Sequence, residues 1–287
     1  MSQQHQIKWL LDAATSVFKT ISDTAKLDAE LLLSHVIDKD RTYLFTWSDK
    51  TLDEQQLTHF ELLCERRKQG EPIAHIIGYR EFWDLKLRVN PSTLIPRPDT
   101  EILVETALST VADRQGSELI GLDLGTGTGA IALALSSELP NWQWLGVDLI
   151  PEAVQLAQQN KILNNINNCH FIQSSWFSQV PKQQYDLIVS NPPYIDKGDH
   201  HLLQGDVRFE PLSALVANNS GLSDILHIVS TAKEYLKPDS ALIIEHGYQQ
   251  GEQVSTIFEQ FGFDNITTIK DLGGNDRGTV GYFKKLG

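Results

Sequence analysis

A short loop that combines an amide, two prolines and an aromatic ring offers the most specific chemistry in the sequence: Asn191-Pro192-Pro193-Tyr194. It directly follows the apolar run 185–190, whose aliphatic and β-branched residues predict a buried parallel strand. Ligands bind at the carboxyl ends of strands in open α/β sheets. Each proline favours extended geometry in the residue before it, so we expect the loop to leave the sheet stiffly.

The chemistry that suits this loop is transfer to a planar nitrogen, which is a poor nucleophile because its lone pair is delocalised. The Asn191 side-chain oxygen and the Pro192 carbonyl offer two acceptors for its N–H hydrogens and favour the pyramidal geometry of attack. Tyr194 offers a ring that stacks on the planar group. Asn191, Pro192 and Tyr194 are the candidate catalytic residues, and Pro193 joins them as a candidate for binding the acceptor. An ordinary Asn-Pro-Pro turn is the alternative interpretation.

A glycine-rich loop after a second predicted strand supplies a candidate nucleotide site. It opens a helix, so its glycines let the backbone approach a ligand at the helix N-terminus. Asp148, about twenty residues further on, stands where a ribose-binding acid belongs. Gly125, Gly127 and Ala130 also fit the Gly-x-Gly-x-x-Ala pattern of dinucleotide-binding enzymes. A glycine turn that only packs the helix against the strand is a further alternative. The candidate cofactor-binding residues are Gly125, Thr126, Gly127, Thr128, Gly129 and Asp148.

The sequence offers no catalytic residue for hydride or phosphoryl transfer. It has no Gly-Lys-Ser/Thr phosphate loop, no Tyr-x-x-x-Lys pair and no His/Cys zinc pattern, so no metal is expected. Methyl transfer from S-adenosylmethionine requires fewer such groups, because the sulfonium is already activated and catalysis consists mainly of desolvation and positioning. S-adenosylmethionine is therefore the expected cofactor and S-adenosylhomocysteine the expected product.

The elements that must position these loops alternate between strand and helix from residue 119 onward, which predicts a doubly wound α/β sheet. A glycine-rich turn between 266–269 and 279–283 predicts an antiparallel hairpin at the sheet edge. The predicted strands are 119–124, 144–147, 170–172, 185–190 and 241–245, and the predicted helices are 130–138, 151–163, 222–236 and 253–261.

The first 70 or so residues show helical spacing of apolar residues, notably over 28–36 and 53–69. Alternation over 82–89 predicts a β-hairpin, and proline with acidic residues at 96–101 predicts the start of a helix. We therefore expect a helical domain at 1–72, a hairpin linker at 73–92 and an α/β domain at 93–287. Residues 195–220 are long for a connection without clear secondary structure, so we expect a lid there, anchored by Glu210.

Composition places the chain among globular proteins of one large or two unequal domains, with 287 residues of which 41% are hydrophobic. The net charge of −13 argues against a partner chosen by phosphate electrostatics. Two widely spaced cysteines fit a reduced compartment, and neither a signal peptide nor a membrane-spanning stretch is evident. We expect a cytoplasmic protein, with no direct nucleic-acid or membrane partner and with a monomer as the working state.

The chain resembles the HemK/PrmC family of protein-(glutamine-N5) methyltransferases, which modify peptide chain release factors, over nearly its whole length. The resemblance implies a small helical N-terminal domain that recognises the release factor, joined by a hairpin to a seven-stranded, Rossmann-like methyltransferase domain. It implies the glutamine of a Gly-Gly-Gln motif as substrate. The matching landmarks are 78–82, 94–101, 123–129, 191–194 and 208–211.

The resemblance also implies further contacts for the cofactor, with Trp176 beside its adenine and Asn191 at both cofactor and acceptor. The chain departs from the family at Ser175, where an acidic residue is frequent. Four alternatives stay open: glutamine methylation of a large-subunit ribosomal protein, adenine-N6 methylation, a nicotinamide-dependent oxidoreductase and a non-catalytic nucleotide-binding module. The acidic charge disfavours a nucleic-acid methyltransferase, which must also take its base out of the stack.

Overall fold

The computed structural model describes residues 5–203 and 205–284, with His201 described by its backbone alone. The chain forms two compact units. The first comprises the residues up to Tyr79 together with 200–209, and the second comprises Arg80–Asp199 and the residues from Glu210 onward. Among the described residues, no helix has the length and apolar character needed to cross a membrane.

The first unit is a helical bundle, and the predicted helices over 28–36 and 53–69 are confirmed. The second of these begins with a capping box, in which the Asp53 carboxylate accepts from the Gln56 N–H at 2.8 Å while the Gln56 side chain accepts from the Asp53 N–H at 3.2 Å. The apolar faces bury one core that includes Phe18, Leu33 and Phe60. The helices are α1 (Ile7–Phe18), α2 (Ala25–Ile37), α3 (Arg41–Thr46), α4 (Glu54–Lys68) and α5 (Ile73–Ile77).

A buried arginine ties the later segment 200–209 to this bundle. Arg67 of α4 is 4% exposed, and its guanidinium donates to Asp28 of α2 and to Asp206, both at 2.9 Å. The segment consists of the 3₁₀ turns His200–Leu203 and Gly205–Phe209. No local pattern in the sequence predicts this return of the chain to the helical unit.

The second unit contains a seven-stranded sheet, as expected, with the central strands parallel and the C-terminal strands antiparallel. The strand order is β10-β11-β9-β6-β3-β4-β5. The sheet strands are β3 (Ile120–Leu124), β4 (Gln143–Asp148), β5 (Cys169–Gln173), β6 (Tyr185–Ser190), β9 (Leu236–Glu245), β10 (Phe263–Lys270) and β11 (Asp276–Phe283).

The other described elements of this unit include a hairpin, six α-helices, short 3₁₀ turns and a short strand pair. The hairpin is β1 (Tyr79–Phe82) and β2 (Leu85–Arg88), and α5 occupies the residues just before it. The helices are α6 (Glu101–Thr110), α7 (Ala130–Glu138), α8 (Pro151–Leu163), α9 (Asn218–Gly221), α10 (Ser223–Ala232) and α11 (Gly251–Gln260), and the parallel pair is β7 (Ile195–Asp196) with β8 (Val216–Ala217).

Both faces of the sheet are covered, which explains why the strands are continuous apolar runs. Leu187 and Val189 of β6 join one hydrophobic cluster, whereas Ile188 between them joins another. Successive side chains of a strand point to opposite faces, so the two clusters lie on the two sides of the sheet. The strand predicted at 185–190 is confirmed at both ends.

Two predictions differ from the structure. The helix predicted over 222–236 ends at Ala232, because Leu236 already begins β9, which includes the loop-like residues Pro238 and Asp239. Residues 195–220 are not free of secondary structure, since they contain β7, β8, the start of α9 and 3₁₀ turns. Strands of two residues are too short to show an alternating pattern, so no local signal predicts them.

Candidate active site

One cavity in the α/β unit collects residues from the carboxyl ends of neighbouring strands. The lining includes residues 125–128 after β3, Asp148 at the end of β4, residues 174–176 after β5 and Asn191 after β6. Pro193 lines it too. The strand order places β6, β3, β4 and β5 side by side, so these four loops meet at one edge of the sheet.

The glycine loop, residues 125–129, is shaped by backbone bonds and by left-handed conformations. The N–H groups of Gly125 and Thr126 both donate to the Val147 carbonyl at 2.9 Å. Gly125, Gly127 and Gly129 have φ values of +73°, +54° and +83°, which glycine adopts at little cost. A Cβ added at Gly125 would lie 3.3 Å from the Trp176 ring. The loop thus needs glycine both for its conformation and for its close approach to this ring.

The Asp148 carboxylate organises the loop and keeps capacity for further donors. It accepts from the N–H groups of Gly127 and Ile150, each at 2.9 Å. Burial raises its pKa, and these backbone bonds oppose the rise. Two carboxylate oxygens offer about four lone-pair sites, so Asp148 can also accept hydroxyl donors such as those of a ribose.

Trp176 is held in an unusual backbone conformation beside this loop. Its φ is +48°, a left-handed value that is rare for a bulky residue and that marks local strain. The Ser174 hydroxyl donates to the Trp176 carbonyl at 2.7 Å. The Trp176 side chain bonds to the carboxylate of Asp224, which also lines the cavity. The strain is therefore maintained by bonds on both sides, and it presents a half-buried aromatic ring to the cavity.

The Asn-Pro-Pro-Tyr loop, residues 191–194, is fixed at both ends. Just before it, the Ser190 hydroxyl donates to the Leu124 carbonyl at 2.7 Å. At its end, the Gln250 amide donates to the Tyr194 carbonyl at 3.1 Å. Gly221, with a φ of +81°, packs so closely that an added Cβ would lie 1.9 Å from the Tyr194 carbonyl oxygen. The predicted stiffness of this loop thus has a physical basis in its neighbours.

Not every residue predicted for the site faces the cavity. Gly129, Pro192 and Tyr194 are absent from its lining within the described chain. Pro192 is buried, and the Tyr194 hydroxyl donates to Glu245 Oε1 at 3.2 Å. Burial raises the pKa of Tyr194 above its usual value. Stacking of Tyr194 on an acceptor therefore stays a prediction, whereas its bond to Glu245 is observed.

The structure adds residues that the sequence analysis did not single out. Thr100 and Asp224 line the cavity, whereas Glu245 interacts with Thr100 and with the charge of Arg277. Glu245 ends β9, an interior strand of the sheet, and the carboxyl end of such a strand is itself a signal for function. The other three stand at element boundaries or in a hairpin, where spacing carries no such signal.

The predicted lid contributes directly to the cavity. Ser213 and Ala214, from the 3₁₀ turn Leu212–Ala214, belong to its lining. Arg97 also lines the cavity and donates to Glu210 at 2.7 Å. The Glu210 side chain is fully buried, so this ion pair holds the part of the predicted lid that begins at residue 210 within the α/β unit.

Comparison with known proteins agrees with this architecture. Residues 10–78 match the PrmC N-terminal domain, and residues 116–272 match a methyltransferase domain. A release factor glutamine methyltransferase of Aliivibrio fischeri is 53% identical, covering 91% of this chain and 92% of the relative. One of Vibrio cholerae is 54% identical, covering 97% of each. A methyltransferase from Pyrococcus furiosus shares the fold, with a TM-score of 0.51 and 17% identity over 70% of this chain and 90% of that chain. The chain therefore belongs to the release factor glutamine methyltransferase family.

Proposed function

We propose that this protein transfers a methyl group from S-adenosylmethionine to the side-chain nitrogen of the glutamine in the Gly-Gly-Gln motif of peptide chain release factors. The observation that carries the proposal is that Asn191, an acceptor suited to a planar NH₂ group, lines the same cavity as the glycine loop, Asp148 and Trp176. Family membership supports the same reaction.

The residues of the cavity fit S-adenosylmethionine. The missing Cβ at Gly125 and the left-handed glycines leave room along the backbone. Asp148 has acceptors for ribose hydroxyls, and the Trp176 ring offers a flat apolar surface for adenine. When bound, this cofactor supplies the activated methyl group. Family relatives in which an acid precedes the aromatic residue would differ here, because Ser175 brings no carboxylate.

The contribution of the protein is to orient the acceptor and to exclude water. Asn191 lines the cavity, and its side-chain oxygen accepts one N–H hydrogen of the glutamine amide, which helps to localise the nitrogen lone pair for attack. We propose the Pro192 carbonyl for the second hydrogen, although Pro192 is buried and does not belong to the described cavity lining. The nitrogen becomes acidic as it gains the methyl group, so no strong base has to act before attack. Ser213 and Ala214 of the lid help to keep the reacting atoms dry.

Transfer of a labelled methyl group to purified release factor tests the proposal. We expect labelling of the wild-type factor and none when the glutamine of its Gly-Gly-Gln motif is replaced by alanine. A large-subunit ribosomal protein and DNA serve as competing acceptors in parallel reactions. Labelling of the ribosomal protein alone would overturn the proposed substrate, and labelling of DNA would overturn the argument from net charge. Because the proposed substrate acts in translation, we also propose the cytoplasm as the place of the reaction.

A further inference from the structure

The orientation of the Asn191 amide decides whether it can serve the proposed acceptor. Only the side-chain oxygen accepts a hydrogen bond, whereas the NH₂ group donates, and rotation about the last bond exchanges the two. In the structure the Asn191 Nδ2 atom lies 3.2 Å from the Thr100 Oγ1 atom. This contact directs the NH₂ group toward Thr100 and leaves the oxygen for a ligand in the cavity.

The contact fixes the amide only if the Thr100 hydroxyl accepts. A hydroxyl has one hydrogen and two lone pairs, so its hydrogen must go elsewhere if a lone pair is to face Asn191. Thr100 is 4% exposed, which limits the part that water can play. The partner for this hydrogen has to be another buried acceptor.

Glu245 provides that acceptor. Its side chain is 2% exposed and it stands at the carboxyl end of β9. Burial raises the pKa of Glu245 to about 7, and the Thr100 and Tyr194 hydroxyls oppose that rise by bonding to the ionised form. Glu245 Oε2 takes no bond of ordinary length among the described residues, so it has capacity for the Thr100 hydrogen.

Burial has the largest effect on Glu245, and the net result is the raised pKa of about 7. The charge of Arg277, whose side chain is 15% exposed, lowers the pKa of Glu245, whereas the charge of Asp99 raises it. Arg277 is itself held by Asp271 at 2.9 Å and by Asp99 at 3.3 Å. Above this pKa the Glu245 carboxylate is ionised and accepts only, so both neighbouring hydroxyls then point their hydrogens at it.

We propose that Thr100 and Glu245 are positioning residues for methyl transfer: Glu245 takes the Thr100 hydrogen, and Thr100 then holds the Asn191 NH₂ group so that the Asn191 oxygen faces the acceptor. The same carboxylate holds the Tyr194 hydroxyl, so one buried charge orients both ends of the loop 191–194. This inference rests on the proposed function, which supplies the methyl acceptor. The hydrogen bonds among Asn191, Thr100 and Glu245 do not depend on that function.

Two replacements of Thr100 separate the role of its hydroxyl from the role of its methyl group. Thr100→Val keeps the shape and removes the hydroxyl, so we expect kcat to fall by about tenfold or more while the Kd for S-adenosylmethionine stays within about twofold. Thr100→Ser keeps the hydroxyl and should restore kcat. Thr106→Val, on helix α6, is the matched control, because its hydroxyl donates to the Ile102 carbonyl of its own helix and Thr106 is not part of the described cavity lining. That control should leave kcat unchanged.

Replacement of Glu245 tests which groups donate and which accept in the hydrogen bonds that link Glu245, Thr100 and Asn191. In Glu245→Gln the new NH₂ group can donate to Thr100, whose hydrogen is then free to turn toward Asn191 and favour the reversed amide. We expect a loss of kcat of about tenfold, similar to that of Thr100→Val. Adding Thr100→Val to Asn191→Ala should cause no further loss, because residues that act as a unit are not additive. Full kcat in Thr100→Val, or additive losses in the double variant, would overturn the proposal.

Nuclear magnetic resonance gives a readout that does not depend on the acceptor. The side-chain NH₂ signals of Asn191 are assigned by their disappearance in Asn191→Ala, and their hydrogen exchange is measured in the enzyme with S-adenosylmethionine. We expect slow exchange in the wild type and in Thr100→Ser, and faster exchange in Thr100→Val. Equal exchange in all three would overturn the proposal. If the wild type fails to label release factor, the proposed function fails, while this measurement still decides the role of Thr100.

Discussion

At the scale of single residues, the Asn191 side chain links the two halves of the site. It lines the cavity shared with the glycine loop, and its NH₂ group is already engaged by Thr100. The remaining oxygen is thus the part of the residue that an acceptor can use. A role in orienting the acceptor differs from a role in holding the cofactor, and the two predict different consequences for its removal.

Asn191→Ala should lower kcat by about a hundredfold, comparable to the loss of one donor from an oxyanion hole. Binding of S-adenosylmethionine should stay measurable by calorimetry, because Asp148, Trp176 and the glycine loop are untouched. Retention of full transfer activity by this variant would eliminate the proposed contact with the acceptor.

A buried acid beneath the glycine loop makes stability depend on pH. Asp123 is 1% exposed, and burial raises its pKa from 3.8 to about 7 despite a 2.6 Å bond from the Thr126 hydroxyl. Between these two values the folded protein holds a proton that the unfolded chain has lost. Stability therefore falls as the pH rises through this window.

Asp123→Asn should flatten this dependence, because its side chain does not titrate. The measurement is the midpoint of thermal unfolding between about pH 5 and pH 7.5, compared with the wild type. A residual slope of the same sign is expected from Glu245, whose pKa burial also raises to about 7. Equal slopes in the variant and the wild type would contradict the assignment to Asp123.

Among the elements, the bounds of helices and strands are predicted best where the pattern of buried residues is simple. Strand β6 and helix α8 agree with their predicted bounds, because a strand buried on both faces and a helix with proline at its first position carry strong local signals. The pair β7 and β8 carries none, since each has two residues. Its existence depends on contacts between residues distant in sequence, which no local pattern encodes.

The same reason limits prediction of the candidate site. The glycine loop, Asp148 and Asn191 stand next to strand ends and have recognisable types, so the sequence indicates them. Thr100 is an ordinary threonine at a helix start, and only the fold brings it within reach of Asn191. The left-handed backbone at Trp176 is likewise invisible in the sequence.

A pair of glycines tests whether the packing behind the Asn-Pro-Pro-Tyr loop matters for catalysis. Gly221 and Gly262 have φ values of +81° and +80°, but an added Cβ at Gly262 meets no atom within 4 Å among the described residues. Gly221→Ala would press on the Tyr194 carbonyl and displace the loop, so we expect kcat to fall by on the order of a hundredfold.

Gly262→Ala is the matched control, since it carries the same backbone cost of about 1 kcal/mol without the clash. It should lower thermal stability and leave kcat unchanged. Steady-state kinetics and unfolding curves on both variants separate the two effects. Equal kinetics in Gly221→Ala and Gly262→Ala would show that the close approach to Tyr194 has no role in transfer.

At the scale of the whole molecule, the chain passes from the α/β unit into the helical unit and back between residues 199 and 210. Within the helical unit, Arg67 holds this segment through Asp206 and holds α2 through Asp28. The arginine is buried, so its loss would leave the buried Asp28 carboxylate without its cation. Removal of one partner of a buried pair is costly.

Arg67→Met should therefore destabilise the helical unit by about 3 kcal/mol. Lys68→Met is the control on the same helix, because the Lys68 side chain is 59% exposed and its pair with Glu65 is on the surface. That change should cost less than about 0.5 kcal/mol. Hydrogen exchange of α2, α4 and residues 205–209 measures the destabilisation caused by each variant. Equal protection in Arg67→Met and Lys68→Met would contradict the role of Arg67.

Tandem mass spectrometry of release factor incubated with the enzyme and S-adenosylmethionine identifies the product of the proposed reaction. We expect one added methyl group, located by fragmentation on the side-chain nitrogen of the glutamine in the Gly-Gly-Gln motif. With the Asn191→Ala variant we expect this product to form about a hundredfold more slowly. A methyl group on any other residue, or an unmodified factor after incubation with folded, cofactor-bound enzyme, would contradict the proposed reaction.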